Sequence, residues 1–287
     1  LAGTYIRWVA EGKSPRFRLS TGDGLNHVLA GVLTLRDPTY VADDAPYLEQ
    51  GHGTALDRIS AFQIGFTSGA SECGKIDMDE ITERRGDLPL TLPEENGADP
   101  TSGDVEITKD VVTSLVDVLG TVFQPAEAPK LSFDPPECSD AKPSPAASYC
   151  PESNTIFVDV PTLAEMGRPS DREDYTLLQG DNTALSVVTS RYALAVEHEH
   201  GEPLDSATAA LRTACVTGVA QRAMSENAGL ALTLTAGDLD EAVAGLLTNG
   251  MVASNVNGET VPAGFTRIVA FRSGLGGDAD VCYNRFK

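Results

Sequence analysis

The residues with the clearest chemical potential are two histidines set among carboxylates, in the run Glu-His-Glu-His-Gly-Glu at 197–202. Imidazole and carboxylate groups are common zinc ligands, and histidine is also a frequent general acid or base. His198 and His200 are only two positions apart, so on a helix they project to different sides, and the H-E-x-x-H spacing is not met. The run therefore favours a solvated helix end ahead of Pro203 over a metal site.

The other candidates for chemistry are Ser190, which precedes Arg191, and the two remaining histidines. A serine nucleophile needs a neighbouring base, and neither a histidine nor a lysine stands near Ser190 in the sequence. His52 lies in Gly-His-Gly-Thr at 51–54, just ahead of a predicted helix, which favours a structural cap or packing role over catalysis. His27 falls within an apolar helical stretch and is more typical of a packed or surface histidine than of a ligand.

Composition limits the class of protein. With 287 residues, 41% of them hydrophobic, the chain can bury a full core in one or two domains. Its formal net charge of -21 argues against nucleic acid or an anionic membrane surface as a partner, because phosphate groups require a basic face. No run of about 20 apolar residues is present, so no membrane span is predicted.

The cysteines indicate the compartment. Their count is odd, and none forms a C-x-x-C pair, which disfavours a zinc ribbon or a thioredoxin-like site. Their spacing is more typical of disulfides in an oxidising compartment, so we expect an extracytoplasmic location. The five are Cys73, Cys138, Cys150, Cys215 and Cys282.

Two apolar segments, 187–196 and 209–218, are predicted to be buried helices. The first carries Ser190 and Arg191 and leads into the histidine-containing run at 197–202, and the second carries Cys215. Polar residues at 181–183 and at 205–206 supply candidate N-caps. Apolar side chains recur at helical spacing in both. They are Leu185, Val188, Tyr192 and Ala195 in the first helix, and Leu211, Cys215, Val219 and Ala223 in the second.

The remaining pattern predicts a mainly α chain of the α+β kind, with few short strands. Asp238 is expected to open a helix, with Glu241 completing a capping box. The segment 125–151, which carries much of the proline, is expected to be a long loop. Other helices are predicted over 5–10, 25–35, 56–66 and 108–123, a short strand over 156–160, and a connection over 87–100.

The chain also repeats itself. Arg58 to Phe66 matches Arg267 to Leu275, and both stretches run on to a cysteine at the same spacing. The period of about 210 residues is too long for a solenoid and indicates a duplicated domain. We therefore expect residues 1–78 to be the closing part of a first copy and residues 79–287 to be a complete second copy. Further matches pair 30–34 with 244–248, and 1–3 with 216–218.

The helix pair resembles the core of bacterial neutral zinc metallopeptidases, whose first helix carries H-E-x-x-H and whose second carries an acidic residue before Asp-Cys. Residues 1–12 look like the continuation of the second core helix in actinobacterial cell-envelope proteins that carry two such halves. This resemblance implies a zincin-like, disulfide-bonded helical fold. It extends to Cys138 with Ser-Tyr-Cys-Pro at 148–151, to 155–159, to 237–242 and to 271–282.

The catalytic positions of that family are not kept. The H-E-x-x-H positions hold Ser190 and Arg191, two further residues and Leu194, and the acidic positions of the second helix hold Ala210 and Ala214. Leucine cannot ligate zinc, and arginine cannot serve as the base. The resemblance thus implies a retained frame without the reaction and no cofactor in this chain, with zinc expected only in an upstream half.

We expect the disulfide pairs Cys138–Cys150 and Cys215–Cys282, which leaves Cys73 unpaired. In the register of the repeat, Leu1 directly follows the position equivalent to Cys215. The expected partner of Cys73 is therefore a cysteine just before Leu1, in a longer protein of which this chain is a C-terminal portion.

Three functions stay open. The first is a catalytically dead copy that stabilises, regulates or docks the missing half or another protein of the cell envelope. The second is a scaffold in which both copies have lost the site and a groove between the core helices binds a partner. The third is an active zinc metallopeptidase whose H-E-x-x-H site lies upstream of Leu1.

Overall fold

The computed structural model describes residues 1–20, 23–41, 51–92, 105–169 and 177–287. Helices predominate and the sheets are small, so the expected mainly α, α+β class is confirmed. Every predicted helix is present. The helices are α1 (Ala2–Ala10), α2 (Gly24–Leu33), α3 (Ala55–Ser68), α4 (Ala70–Cys73), α5 (Met78–Arg85), α6 (Lys109–Phe123), α7 (Val160–Met166), α8 (Asp181–Glu199), α9 (Ala207–Glu226), α10 (Asp238–Thr248), α11 (Gly264–Leu275) and α12 (Ala279–Arg285).

The helices α8 and α9 form the centre of the core, and both are buried on nearly every side. The Ser206 hydroxyl caps α9 as predicted, accepting a hydrogen bond from the Ala209 amide at 3.0 Å. The N-cap of α8 is Gly180, not one of residues 181–183, which lie within its first turn. The predicted stripe on α9 is also only partly right, because Leu211 and Val219 are half-buried, while Ala210 and Ala214, which are not part of the stripe, are fully buried.

A three-stranded sheet covers one side of the central helices. Its strands are β3 (Lys130–Ser132), β4 (Ala147–Cys150) and β5 (Thr155–Val158), in the order β3-β5-β4. β5 runs parallel to β3 and antiparallel to β4. The expectation of a loop over 125–151 was therefore wrong at β3 and β4. These strands form because their backbone groups pair with β5, a partner that their own spacing does not reveal.

The expected disulfides are both formed, Cys138–Cys150 and Cys215–Cys282, each with a Cα–Cα separation of 5.5 Å. The first ties the proline-containing segment to β4, and the second joins α9 to α12. Cys73 is unpaired. Its Sγ lies 3.3 Å from the α-amino nitrogen of Leu1.

Two helix pairs make the same close contact. A Cβ added at Gly3 of α1 would lie 2.0 Å from the Phe62 carbonyl oxygen of α3, and one added at Gly218 of α9 would lie 2.2 Å from the Phe271 carbonyl oxygen of α11. Only glycine permits backbones to approach so closely. Each pair thus brings together residues that the sequence repeat makes equivalent, although the division of the chain at residue 78 stays a prediction.

The helix starts of the two repeats are capped by each other. The Asp240 carboxylate of α10 accepts hydrogen bonds from the backbone amides of Ala55 and Leu56 at the start of α3, at 2.8 and 2.9 Å. The Asn26 side-chain oxygen of α2 accepts one from the Gly264 amide at the start of α11, at 3.1 Å. Asn26 and Asp240 occupy equivalent positions in the repeat, as do Ala55 and Gly264, so the two contacts are reciprocal.

Two smaller expectations need correction. α10 begins at Asp238 with Gly237 as its N-cap, and no capping box is formed there. Asp238 instead reaches back to the Thr235 amide, at 2.6 Å. The predicted connection over 87–100 contains the short strand β2 (Thr91–Leu92), parallel to β1 (Tyr40–Val41), and its residues 93–100 lie outside the described residues. Within the described part of the chain, no helix is both long and apolar enough to cross a membrane.

Candidate functional site

The positions at which the family resemblance places a zinc site lie at the middle of α8. Ser190, Arg191 and Leu194 are all fully buried there. The Ser190 hydroxyl donates to the Val187 carbonyl oxygen one turn earlier, at 2.6 Å. A hydroxyl whose proton is donated to a backbone carbonyl oxygen of its own helix is not donating to a base, as an activated serine nucleophile would.

Arg191 takes the place of the expected general base, and its guanidinium reaches out of the helix pair. It donates to the Met251 carbonyl oxygen at 2.8 Å, to the Ser254 hydroxyl at 2.6 Å and to the Asn255 carbonyl oxygen at 3.4 Å. Burial lowers the pKa of Arg191 to about 10, so the group is still a cation at neutral pH. It therefore acts as a donor that ties α8 to the 3-10 turn Met251–Ala253.

The second helix contributes only methyl groups at the corresponding positions. Ala210 and Ala214 of α9 are fully buried and pack within the core. Of the five positions, only Ser190 carries an oxygen or nitrogen that could coordinate a metal, since arginine remains protonated. Zinc sites need three or four protein ligands, so this part of the helix pair cannot supply a hydrolytic centre from its own side chains.

A buried ion pair lies one turn further along, and the sequence interpretation missed it. Glu197 is fully buried, not part of a solvated helix end as expected. Its carboxylate accepts from Arg212 Nε and from the Thr213 hydroxyl, both at 2.8 Å. Burial raises the pKa of Glu197 to about 7, and the Arg212 guanidinium opposes that rise. Arg212 also donates to the carbonyl oxygens of Phe286 and Pro203, at 2.9 and 2.6 Å.

An arginine within the apolar segment 209–218 was the one signal that could have revealed this pair. A buried cation needs a buried anion or several acceptors, and Glu197 is one of the acids between the two core segments in the sequence. The arrangement joins α8, α9 and the C-terminal residues. The Glu197 carboxylate is occupied by these hydrogen bonds, whereas a general base must face the space that the substrate enters.

The histidines are not brought together. His198, His200, His27 and His52 are all exposed. His198 Nδ1 lies 3.0 Å from the Tyr149 hydroxyl, and the His200 ring stacks on Tyr283 with centroids 4.9 Å apart. The solvated helix end is thus correct from His198 onward. Next to His52, Thr54 caps α3 in a capping box with Asp57, so the cap belongs to Thr54 and not to the exposed His52 side chain.

Three buried carboxylates do come together, at Asp181, Asp238 and Glu241, with one oxygen from each within 4.8 Å of the others. Carboxylate oxygens are the ligands that hard cations such as Ca²⁺ prefer. All three, however, already have partners within the protein. Asp181 accepts from the Val105 amide and Glu241 from the Asn182 amide, each at 2.9 Å. The cluster belongs to a hydrogen-bond network that fixes the starts of α8 and α10.

No protein family, curated protein or solved structure matches this chain. The two disulfides are typical of proteins from an oxidising, extracytoplasmic environment.

Proposed function

We propose that residues 79–287 form a catalytically inactive, metallopeptidase-like copy in an extracytoplasmic protein, and that this copy docks and stabilises the helices of the other copy. The observation that carries the proposal is the pair of reciprocal caps. Asp240 of the second copy holds the start of α3, and Asn26 of the first copy holds the start of α11. Each repeat thus satisfies helix amides that the other would leave unpaired.

The side chains at the former catalytic positions support the inactive part of this proposal. Hydrolysis by zinc needs imidazole ligands, a carboxylate base and an open coordination position. Here α8 offers Arg191, which is committed to carbonyl oxygens around residue 251, and Leu194, which is packed in the core. The frame of the two helices is retained without the groups that the reaction requires.

The duplication is supported by three correspondences between the repeats. The glycine contacts at Gly3 and Gly218 have the same geometry, and the two helix caps are exchanged symmetrically. Cys73 is equivalent to Cys282, and its sulfur lies beside Leu1, which is equivalent to the residue after Cys215. Docking between copies is a function that such an arrangement can perform without chemistry.

Hydrogen–deuterium exchange measured by mass spectrometry tests the docking role. In Asp240→Ala, we expect faster exchange at the start of α3 and throughout residues 51–73, because two amides lose their acceptor. Asp278→Ala is the matched control, since within the described part of the chain Asp278 accepts from the Val281 amide of its own short helix and from no other helix. Unchanged exchange over residues 51–73 in Asp240→Ala would contradict the docking role.

A peptidase assay tests the inactive part separately. We expect purified protein to leave an unfolded casein substrate intact, with or without added zinc. Cleavage that scales with protein concentration, is abolished by a chelator and is lost in Arg191→Met would show that α8 supports catalysis, and the proposal would then be wrong.

A further inference from the structure

A pocket lies where the two repeats meet, between α3, α5, α9, α10 and α11. Its volume is about 140 Å³. Leu56 of α3 and Leu239 of α10 contribute apolar surface to its wall. The same wall carries four arginines, Arg84, Arg85, Arg222 and Arg272.

Three of these arginines are neutralised by carboxylates. Arg85 makes a two-pronged contact with Asp57, whose nearest distance is 2.6 Å, and Arg84 also reaches Asp57, at 3.1 Å. Arg84 pairs in addition with Glu80 of its own helix, at 3.0 Å, and Arg222 pairs with Glu226. Their charges are therefore committed within the protein.

Arg272 is different. Among the described residues, its one hydrogen-bond partner is the neutral Gln63 side chain, at 2.5 Å, and no carboxylate lies within ion-pair distance. The chain carries 42 acidic and only 21 basic side chains. Acidic residues are therefore plentiful, yet none of the described ones forms an ion pair with Arg272. Arg272 is half-buried, and a charge removed from water is costly unless an opposite charge or several acceptors meet it.

The surroundings of Arg272 also define the ligand. Burial, together with the nearby Arg84 cation, lowers the pKa of Arg272 to about 10, and the Glu80 carboxylate partly opposes this, so Arg272 stays charged at neutral pH. Asp240 also lines the pocket and would repel a second negative charge, whereas Asp57 is neutralised by Arg84 and Arg85. The pocket is close in volume to the cavities of roughly 150 Å³ that hold a benzene ring. A small apolar molecule with a single carboxylate matches the positive charge of Arg272, the disfavoured second negative charge and the volume of the pocket.

We propose that this pocket binds a small organic monocarboxylate, with its carboxylate on the Arg272 guanidinium and its apolar body against Leu56 and Leu239. A planar guanidinium is suited to this role because it can donate two parallel hydrogen bonds to one carboxylate. The site is separate from the former catalytic positions of α8. It places a ligand at the contact between the two repeats.

Fluorine NMR with 4-fluorobenzoate tests the proposal on the whole chain. We expect saturable broadening of the probe resonance by wild-type protein, competition by hexanoate, and no saturable effect on the neutral analogue 4-fluorobenzamide. Arg272→Gln should weaken binding by about 10- to 100-fold, the range for loss of a charge-assisted hydrogen bond. Arg285→Gln is the matched control, because it removes the same charge from an exposed position and should leave binding unchanged.

Several results would overturn the proposal. The first is the absence of saturable 4-fluorobenzoate binding by wild-type protein, which does not depend on any variant folding. The second is equal weakening in Arg272→Gln and Arg285→Gln, which would mean that only overall charge matters. Arg272→Lys keeps the charge but not the planar fork, and it provides a second variant if Arg272→Gln fails to fold. Equal affinity for 4-fluorobenzoate and 4-fluorobenzamide would show that the Arg272 guanidinium does not bind the carboxylate.

Discussion

Replacing Gly218 by alanine tests whether the backbones of α9 and α11 are in direct contact in the core. The added Cβ would lie 2.2 Å from the Phe271 carbonyl oxygen and 3.0 Å from the Leu275 amide nitrogen. Both are backbone atoms of a helix, so no side-chain rotation relieves the clash. The helices must separate by roughly 1 Å to restore ordinary contact distances.

The expected free-energy change follows from two opposing effects. Overpacking of a rigid core costs about 3 kcal/mol. Alanine is better than glycine inside a helix by about 1 kcal/mol, which offsets part of that cost. We therefore expect Gly218→Ala to lower the free energy of unfolding by about 2 kcal/mol, measured by urea denaturation followed by far-UV circular dichroism.

Gly31→Ala is the control, because a Cβ added at Gly31 of α2 meets nothing within 4 Å. The same substitution should there raise the free energy of unfolding by about 0.5–1 kcal/mol, through helix propensity alone. Equal stability of wild type and Gly218→Ala, or a gain in stability in both variants, would refute the close contact of α9 with α11.

Three other perturbations have defined outcomes. Because the pKa of Glu197 is raised from 4.5 to about 7 in the folded protein, its contribution to stability is largest below pH 4.5 and falls as the pH rises through 7. Between these pH values the free energy of unfolding of Glu197→Gln should therefore change by up to about 3 kcal/mol less than that of the wild type. The same pH dependence in both proteins would contradict the burial of this acid. Cys282→Ser, which opens the bridge to Cys215, should cost about 2–5 kcal/mol in the same urea experiment, and a loss below about 1 kcal/mol would show that the bridge constrains little. A cysteine added directly before Leu1 should form a disulfide with Cys73, detected as the loss of a free thiol by mass spectrometry. A thiol that stays free under oxidising conditions would argue against equivalence of the two repeats.

The helices were predictable because their apolar spacing is a local property. α6 shows this most clearly, since its buried positions Val112, Leu115 and Leu119 recur at the helical period within one segment. The cap at Ser206 was predictable for the same reason, since its acceptor and donor are three residues apart.

The features that escaped prediction depend on contacts between distant segments. β3 and β4 are short and carry few strand-typical patterns, so they become strands only beside β5. The burial of Glu197 depends on Arg212 from another helix, and the cap of α3 depends on Asp240, which lies 185 positions away in the sequence. Arg272 offers no sequence signal at all, because its lack of a carboxylate partner is visible only once the surrounding helices are placed.

The most direct test of the central claim is equilibrium dialysis of tag-free, natively purified protein against zinc, with the bound metal measured by mass spectrometry. We expect no tightly bound, stoichiometric zinc, because Arg191, Leu194, Ala210 and Ala214 cannot ligate it. One zinc ion held tightly per chain, and lost in Ser190→Ala, would place a metal centre on α8 and contradict the proposal that residues 79–287 are catalytically inactive.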